Sequence, residues 1–236
     1  MQSIKSAFVL AAGRGERLRP LTDTTPKPLL PVGGRPLLDF ILENLIPLKL
    51  ERVVLNAWHL KEQVVQYASE RKTKFPFEIL VSEENELLGT GGGLKKVYPL
   101  LNGAPFLMLN GDCLWKGGIE NFVKYSLSQD VSSTWWLTEK DSSQTEVGAH
   151  RDRICSIGKL WSSNDPIENS GCFSGIQLIQ KMDFMKLPDK GCIIRNYWLE
   201  RLKEGQSLGA CLQRFKSWSD IGTPERYQLI QNELPL

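Results

Sequence analysis

From Ala7 to Leu137, short apolar runs of β character alternate with stretches whose apolar residues fall at helical spacing. Ala7–Ala12 (AFVLAA), Arg52–Asn56 (RVVLN), Glu78–Val81, Pro105–Asn110 (PFLMLN) and Ser132–Leu137 read as strands. Between them, Pro36–Leu48 places Leu37, Leu38, Ile41, Leu42 and Leu45 on one helical face, with Pro36 suited to a first turn. Lys61–Glu70, Gly92–Leu101 and Ile119–Ser128 also read as helices. This alternation predicts an α/β layer with a largely parallel sheet. Such sheets bind ligands in the loops beyond the carboxyl ends of their strands, so chemistry is expected after Ala12, Val81 and Asn110. The second half is less regular. Val147–Ala149, Ile154–Lys159 and Cys172–Ile179 read as strands, and Ile193–Lys203 and Pro224–Asn232 as helices. No repeat, low-complexity tract or linker interrupts the 236 residues, and a single domain over 1–236 is expected.

A hydrophobic content of 41% is enough for one large core, and charged residues of both signs, 24% of the chain, argue against disorder. The net charge of +2 shows neither the basic surplus nor the stripe that coats nucleic acid. No apolar stretch is long enough to cross a membrane. The apolar run within Met1–Leu10 is too brief for a signal peptide and leads straight into a Gly-rich loop. The five cysteines are scattered, odd in number and without a CxxC pair, which suggests small buried residues in a reducing cytosol. Two histidines offer little material for a His-based triad or metal site.

The first strand runs into Gly13-Arg14-Gly15-Glu16-Arg17, then Leu18-Arg19-Pro20 and Thr25-Pro26-Lys27-Pro28-Leu29-Leu30-Pro31. Glycines at a strand end let backbone N–H groups approach an anion closely. Arg14, Arg17, Arg19 and Lys27 add cationic charge suited to a triphosphate. The loop is not a P-loop, since no GK[ST] follows, and a third dinucleotide-fingerprint glycine would fall at Leu18. By composition alone it is equally a flexible basic turn. Asp112 stands at the tip of the strand PFLMLN, a place that suits a ligand for Mg²⁺, which takes hard oxygens. Asp220, in Trp218-Ser219-Asp220-Ile221-Gly222-Thr223, reads by itself as a turn or helix-capping residue as readily as a ligand.

The segment Leu10–Leu38, LAAGRGERLRPLTDTTPKPLLPVGGRPLL, resembles the N-terminal signature of the sugar-1-phosphate nucleotidyltransferases, G-x-G-x-R-x-x-P…P-K-P-L-x-P-V. Asn110-Gly111-Asp112 and Trp218–Thr223 are similar to that family's N-G-D and W-x-D-[IV]-G-T motifs. The resemblance spans essentially the whole chain, tight at these motifs and at Gly89–Gly93 and loose from Asp141 to Gly191. It implies a three-layer α/β/α, Rossmann-like (GT-A-like) fold with a mixed, mostly parallel sheet. A nucleotide half would cover about 1–112 and a sugar half about 113–236. It also implies that an NTP and a sugar 1-phosphate are joined with release of pyrophosphate. Ala11, Ala12, Gly13, Gly15, Glu16 and Arg17 would wrap the nucleotide, with Ser82, Gly91 and Gly92 against the base. Arg17 and Lys27 would stabilise charge on the reacting phosphates, and Asp112 and Asp220 would hold Mg²⁺. Asn110, Gly148 and Ser174 would line the sugar.

Many relatives carry an E-K-P motif where this chain has Ser156-Ile157-Gly158-Lys159-Leu160, so Lys159 takes the lysine position and the glutamate is absent. Asn56-Ala57-Trp58-His59 is similar to loops that border the sugar, although His59 reads equally as a surface residue. NAWH, GTGGG and WSDIGT together most resemble the small N-acetylmuramate-1-phosphate uridylyltransferases. They also resemble mannose- and heptose-1-phosphate guanylyltransferases. UTP with an N-acetylmuramate-like sugar 1-phosphate is the first expectation and GTP with a mannose or heptose 1-phosphate the second. A catalytically silent NDP-sugar sensor and a plain α/β interaction protein are the readings from other classes. No hexapeptide β-helix is present, so acetyl transfer is not expected. The partners implied are small molecules, with no nucleic acid and no membrane. A homo-oligomer stays open, since Trp135-Trp136 reads as either core or contact surface.

Overall fold

The computed structural model describes residues 3–139, 141, 144–213 and 217–233. Strand β1 (Ser6–Leu10) leads through a 3₁₀ turn at Glu16–Leu18 to the short helix α1 (Leu21–Thr24). A small hairpin of β2 (Pro31–Val32) and β3 (Arg35–Pro36) turns the chain into α2 (Leu37–Leu45). Then follow β4 (Arg52–Ala57), α3 (Lys61–Glu70), β5 (Glu78–Glu83), α4 (Gly89–Val97) and β6 (Phe106–Asn110). Next come β7 (Cys113–Lys116), α5 (Ile119–Ser128) and β8 (Ser133–Thr138). The second half contains β9 (Glu146–His150), β10 (Arg153–Ile157), β11 (Trp161–Ser162) and β12 (Asn169–Ile179). A π-helical turn at Ile194–Trp198 enters α6 (Leu199–Lys203), followed by β13 (Leu208–Cys211), β14 (Ser217–Asp220) and α7 (Pro224–Glu233).

One ten-stranded sheet runs β11-β10-β13-β8-β12-β6-β1-β4-β5, with β9 pairing β10 and β12. The four strands β5, β4, β1 and β6 are all parallel. Each of the three crossovers among them carries a helix (α2, α3 and α4). The chain steps outward from β1 to β4 and β5, then returns to β6 on the other side of β1. That reversal is a topological switch point, where an open α/β sheet leaves a crevice at its strand ends. Beyond β6 the pairing changes. β12 is antiparallel to β6, β8 and β9, while β13 is parallel to β8. The sheet is thus mixed, as expected, but not mostly parallel: among the described residues four of its strand pairings are parallel and six antiparallel, because the strands of the second half are joined by hairpins and returns rather than by helical crossovers.

Alternate residues of β1 and β4 divide between the two faces. Ala7, Val9, Val53 and Leu55 pack with α2, α3 and α5, while Phe8 and Val54 pack with α4 and α6. This is the three-layer arrangement. Leu37, Leu38, Ile41, Leu42 and Leu45 of α2 are fully buried, at about 2 kcal/mol for each side chain. The helix gives way to a 3₁₀ turn at Ile46–Leu48, where Pro47 has no N–H to continue it. Trp135 and Trp136 are both fully buried on opposite faces of β8, so they are core. All five cysteines are free. Among the described residues no helix is long and apolar enough to cross a membrane.

Asp39 ties α2 to α3. Its carboxylate accepts from Tyr67 Oη at 2.6 Å, Arg71 Nε at 2.7 Å and Lys74 Nζ at 2.6 Å. Burial pushes this carboxyl up, but the hydrogen bonds from Lys74, Tyr67 and Arg71 outweigh burial and hold it below its ordinary value.

Two expectations about elements change. Helix α4 begins at Gly89 rather than Gly92, so GTGGG forms its beginning. β7, β13 and β14 were not legible as strands; each spans four residues, too few for a period to show.

Candidate active site

A cleft of about 340 Å³ lies at the carboxyl ends of β1 and β6. Its walls are Leu10–Gly13, Lys27 and Pro28 from the first loop, Asn56 from β4, Leu87, Gly89 and Thr90 at the start of α4, and Asn110–Asp112. The expected loops after β1, β5 and β6 all reach it. The end of β1 is held on both sides: Gly111 N donates to Leu10 O at 2.9 Å, and Ala11 N to Asn56 Oδ1 at 2.7 Å. Gly15 takes the left-handed conformation, φ 64°, and Thr22 Oγ1 donates to its carbonyl at 2.9 Å. That bend leaves Gly13, Glu16 and Arg17 exposed to solvent.

Lys27 and Asp112 meet at the floor of the cleft. Lys27 Nζ donates to Asp112 Oδ2 at 2.6 Å, with the lysine side chain 12% exposed. Asp220 is brought alongside by the antiparallel pair β7–β14, in which it stands opposite Cys113. Ile221 N also donates to Asp112 O at 3.0 Å. Burial, and then the negative charges of Asp112 and Asp220, push the Cys113 thiol far up. The two aspartates singled out in the sequence therefore share one small region. Arg17 reaches it from the first loop: a Cβ placed on Gly222 would lie 3.3 Å from Arg17 Nη2.

Asp220 has partners that sequence reasoning missed. Oδ1 accepts from Gly222 N at 2.6 Å, and Oδ2 accepts from Gln144 Nε2 at 2.9 Å and from Arg226 Nη1. Arg226 also pairs with Asp141. Its position in the first turn of α7, six residues past Asp220, was the available signal. Among the described residues no group of three or more His, Cys, Asp or Glu could hold a metal. Two carboxylates fit an ion that completes its shell with water and phosphate oxygens, which is the habit of Mg²⁺.

Several expected site residues do not line this cleft. Gly91 and Gly92 are buried against the segment 188–191 and do not line the cleft. Gly91 N donates to Gly191 O at 2.8 Å, and a Cβ on Gly92 would stand 2.3 Å from the Asp189 carbonyl oxygen. Close backbone approach requires these glycines, and the cleft receives Leu87, Gly89 and Thr90 instead. Ser82 is buried within β5, in register with Asn56, and also stays outside the cleft. Gly148 faces β10: its N–H donates to Ser156 Oγ at 3.2 Å, and a Cβ would lie 2.3 Å from that oxygen. Ser174 is fully buried, with its hydroxyl accepting from Ile176 N at 3.2 Å. Its carbonyl receives Trp218 Nε1 at 3.0 Å, so it supports β14 from behind. Asn110 does line the cleft, packed against Gly175. Lys159 is exposed in the turn after β10, and His59 Nε2 is bonded to Thr22 O at 2.7 Å.

The family model described as nucleotidyl transferase matches residues 6–148, from β1 through the centre of β9. The chain belongs to the nucleotidyl transferase family. The matched stretch contains the whole cleft together with Lys27 and Asp112, while Asp220 lies beyond it. The N-acetylmuramate alpha-1-phosphate uridylyltransferase of Neisseria meningitidis serogroup B is 40% identical over 136 residues, 56% of this chain and 58% of that protein. The mannose-1-phosphate guanyltransferase beta-A of Xenopus laevis is 27% identical over 226 residues, 94% of this chain and 62% of that protein. The chain thus spans less than two thirds of the length of either relative. In fold, HddC from Yersinia pseudotuberculosis, solved in complex with GMP-PN, superposes with a TM-score of 0.77. That match has 21% identity and covers 98% of this chain and 99% of the other.

Proposed function

We propose that this protein is an Mg²⁺-dependent nucleotidyltransferase that joins an NTP to a sugar 1-phosphate, releasing pyrophosphate and an NDP-sugar. The observation that carries this reading is the convergence of Lys27, Asp112 and Asp220 at the end of the β1–β6 cleft. In this reading one domain spans the chain, with its nucleotide half ending near Asp112. A sugar-phosphate oxygen attacks the α-phosphorus and pyrophosphate leaves. Both reactants are anions, so the task is to bring them together and offset charge. The loop Ala11–Arg17 binds the triphosphate, and Leu87, Gly89 and Thr90 border the base. Lys27, mostly buried, is a fixed positive charge between the two phosphates. Arg17, exposed on the same first loop and close to Gly222, is a second cation for the triphosphate. Asp112 and Asp220 would hold Mg²⁺, which when bound supplies positive charge to the phosphate oxygens. A sugar phosphate is already a competent nucleophile, so no general base is required.

The sequence resemblance favours UTP with an N-acetylmuramate-like sugar 1-phosphate. The Xenopus guanyltransferase aligns over more of the chain than the Neisseria uridylyltransferase, which supports GTP with a mannose or heptose 1-phosphate as the second reading. The deciding experiment is pyrophosphate release with Mg²⁺ over UTP, GTP, dTTP and CTP against N-acetylmuramate, N-acetylglucosamine, mannose, glucose and heptose 1-phosphates. Turnover in one cell of that grid establishes the reaction and both substrates. A blank grid from folded protein that still binds NDP-sugar would replace this reading with that of a sensor.

A further inference from the structure

Glu84 follows β5 by one residue and is 1% exposed, yet among the described residues the hydrogen bonds of its side chain involve no cation. Glu84 Oε1 accepts from Asn56 Nδ2 at 2.7 Å, and Oε2 accepts from Leu88 N at 3.0 Å. Asn56 in turn accepts the Ala11 N–H through Oδ1 at 2.7 Å. The start of α4, where Leu88 is the cap, supplies the positive end of a helix dipole to the carboxylate. Gly93 of α4 makes room for the pair: a Cβ there would lie 2.9 Å from Asn56 Nδ2 and 3.0 Å from Glu84 Oε1.

The polarity of this chain of bonds is fixed. A backbone N–H only donates and a carboxylate only accepts, so the Asn56 amide has one permitted orientation between them. We propose that Glu84 is a positioning residue of the nucleotide cleft, acting through Asn56 on the Ala11 peptide and through Leu88 on the entry to α4. Both ends of the relay are walls of the cleft. Ala11 belongs to the first loop, and Leu87, Gly89 and Thr90 flank Leu88. Glu84 itself does not line the cleft. Its effect is to hold the two walls in register, so that nucleotide meets a preformed site. The kinetic part of the inference rests on the nucleotidyltransferase reading; the hydrogen-bond part does not.

The relay makes a specific prediction about exchange of atoms. In Glu84→Gln, the new amide N–H faces either Asn56 Nδ2 or Leu88 N, donor against donor, and the Ala11 bond is lost if Asn56 turns to adapt. In Asn56→Asp, two carboxylates face each other. In the double variant Asn56→Asp/Glu84→Gln every bond is restored with the charge moved. The carboxylate now at position 56 accepts from Ala11 N and from the amide nitrogen now at position 84, whose carbonyl oxygen accepts from Leu88 N. The three variants and the wild type are compared by NTP and sugar 1-phosphate kinetics, and by amide exchange at Ala11 and Leu88 in the free protein. Each single change is expected to raise KM for NTP on the order of tenfold, with kcat and the sugar 1-phosphate KM within about threefold. It is also expected to speed exchange at Ala11, and the double variant returns both. Single variants with unchanged NTP KM and unchanged Ala11 protection overturn the proposal. So does a double variant no better than the worse single one, or one that fails to fold. A wild type without turnover defeats the nucleotidyltransferase reading alone, because the exchange comparison still decides the relay.

Discussion

Lys27 Nζ and Asp112 Oδ2 stand 2.6 Å apart, joining the loop after β1 to the loop after β6 across 85 residues of sequence. The bond places a cation and a carboxylate at the point where the strand order reverses, with both side chains largely withdrawn from water. There a charge acts more strongly than at the surface. Replacing Lys27 by Met removes the cation while keeping much of its bulk. Turnover in the pyrophosphate assay is expected to fall by about 10² or more, the scale of losing one preorganised charge at a reacting phosphate. Circular dichroism is expected to stay that of the folded protein. Activity within about threefold of wild type would remove Lys27 from the proposed machinery.

Asp112→Asn and Asp220→Asn each take one anionic oxygen from the proposed metal pair. Binding of Mn²⁺, a paramagnetic stand-in for Mg²⁺, is expected to weaken on the order of tenfold or more in each variant, followed by electron paramagnetic resonance with NTP present. Unchanged Mn²⁺ affinity in both would place the metal elsewhere.

Gly92 and Gly13 are both glycines of proposed nucleotide-binding motifs, but only one is required by packing. A methyl on Gly92 collides with the Asp189 carbonyl, whereas one on Gly13 meets nothing within 4 Å. Gly92→Ala is expected to lower unfolding free energy by about 1–3 kcal/mol, and Gly13→Ala by less than about 0.5 kcal/mol, in urea denaturation. Equal losses would contradict the close approach of 188–191 to α4.

Asp39 offers a test in acid. Its folded carboxyl is held below the unfolded value, so its contribution to stability is complete above about pH 4 and is lost as pH falls through the lowered folded value. Asp39→Ala leaves Arg71 and Lys74 without their shared partner. It is expected to cost about 3 kcal/mol at neutral pH. The gap between wild type and variant, measured by denaturation at a series of pH values, should be constant above that range and close below it. A gap that widens in acid would reverse the assigned sign.

The sequence by itself determined what depends on spacing within one element. Lys61–Glu70 and Ile119–Ser128 are helical over the predicted bounds, and β1, β4, β5 and β6 fall where apolar runs stand between turns. Periods of 3.6 and 2 are local properties, and so are the motif positions of Lys27 and Asp112. Only the tertiary structure decided which surfaces meet. It paired β7 with β14 and so set Asp220 beside Asp112. It turned Gly91 and Gly92 toward 188–191, Gly148 toward Ser156 and Ser174 behind β14, and it enclosed Glu84 with Asn56. Apart from the Gly148–Ser156 contact of neighbouring strands, these contacts join segments distant in sequence, and no window of residues encodes the distance between two backbones that packing alone brings together.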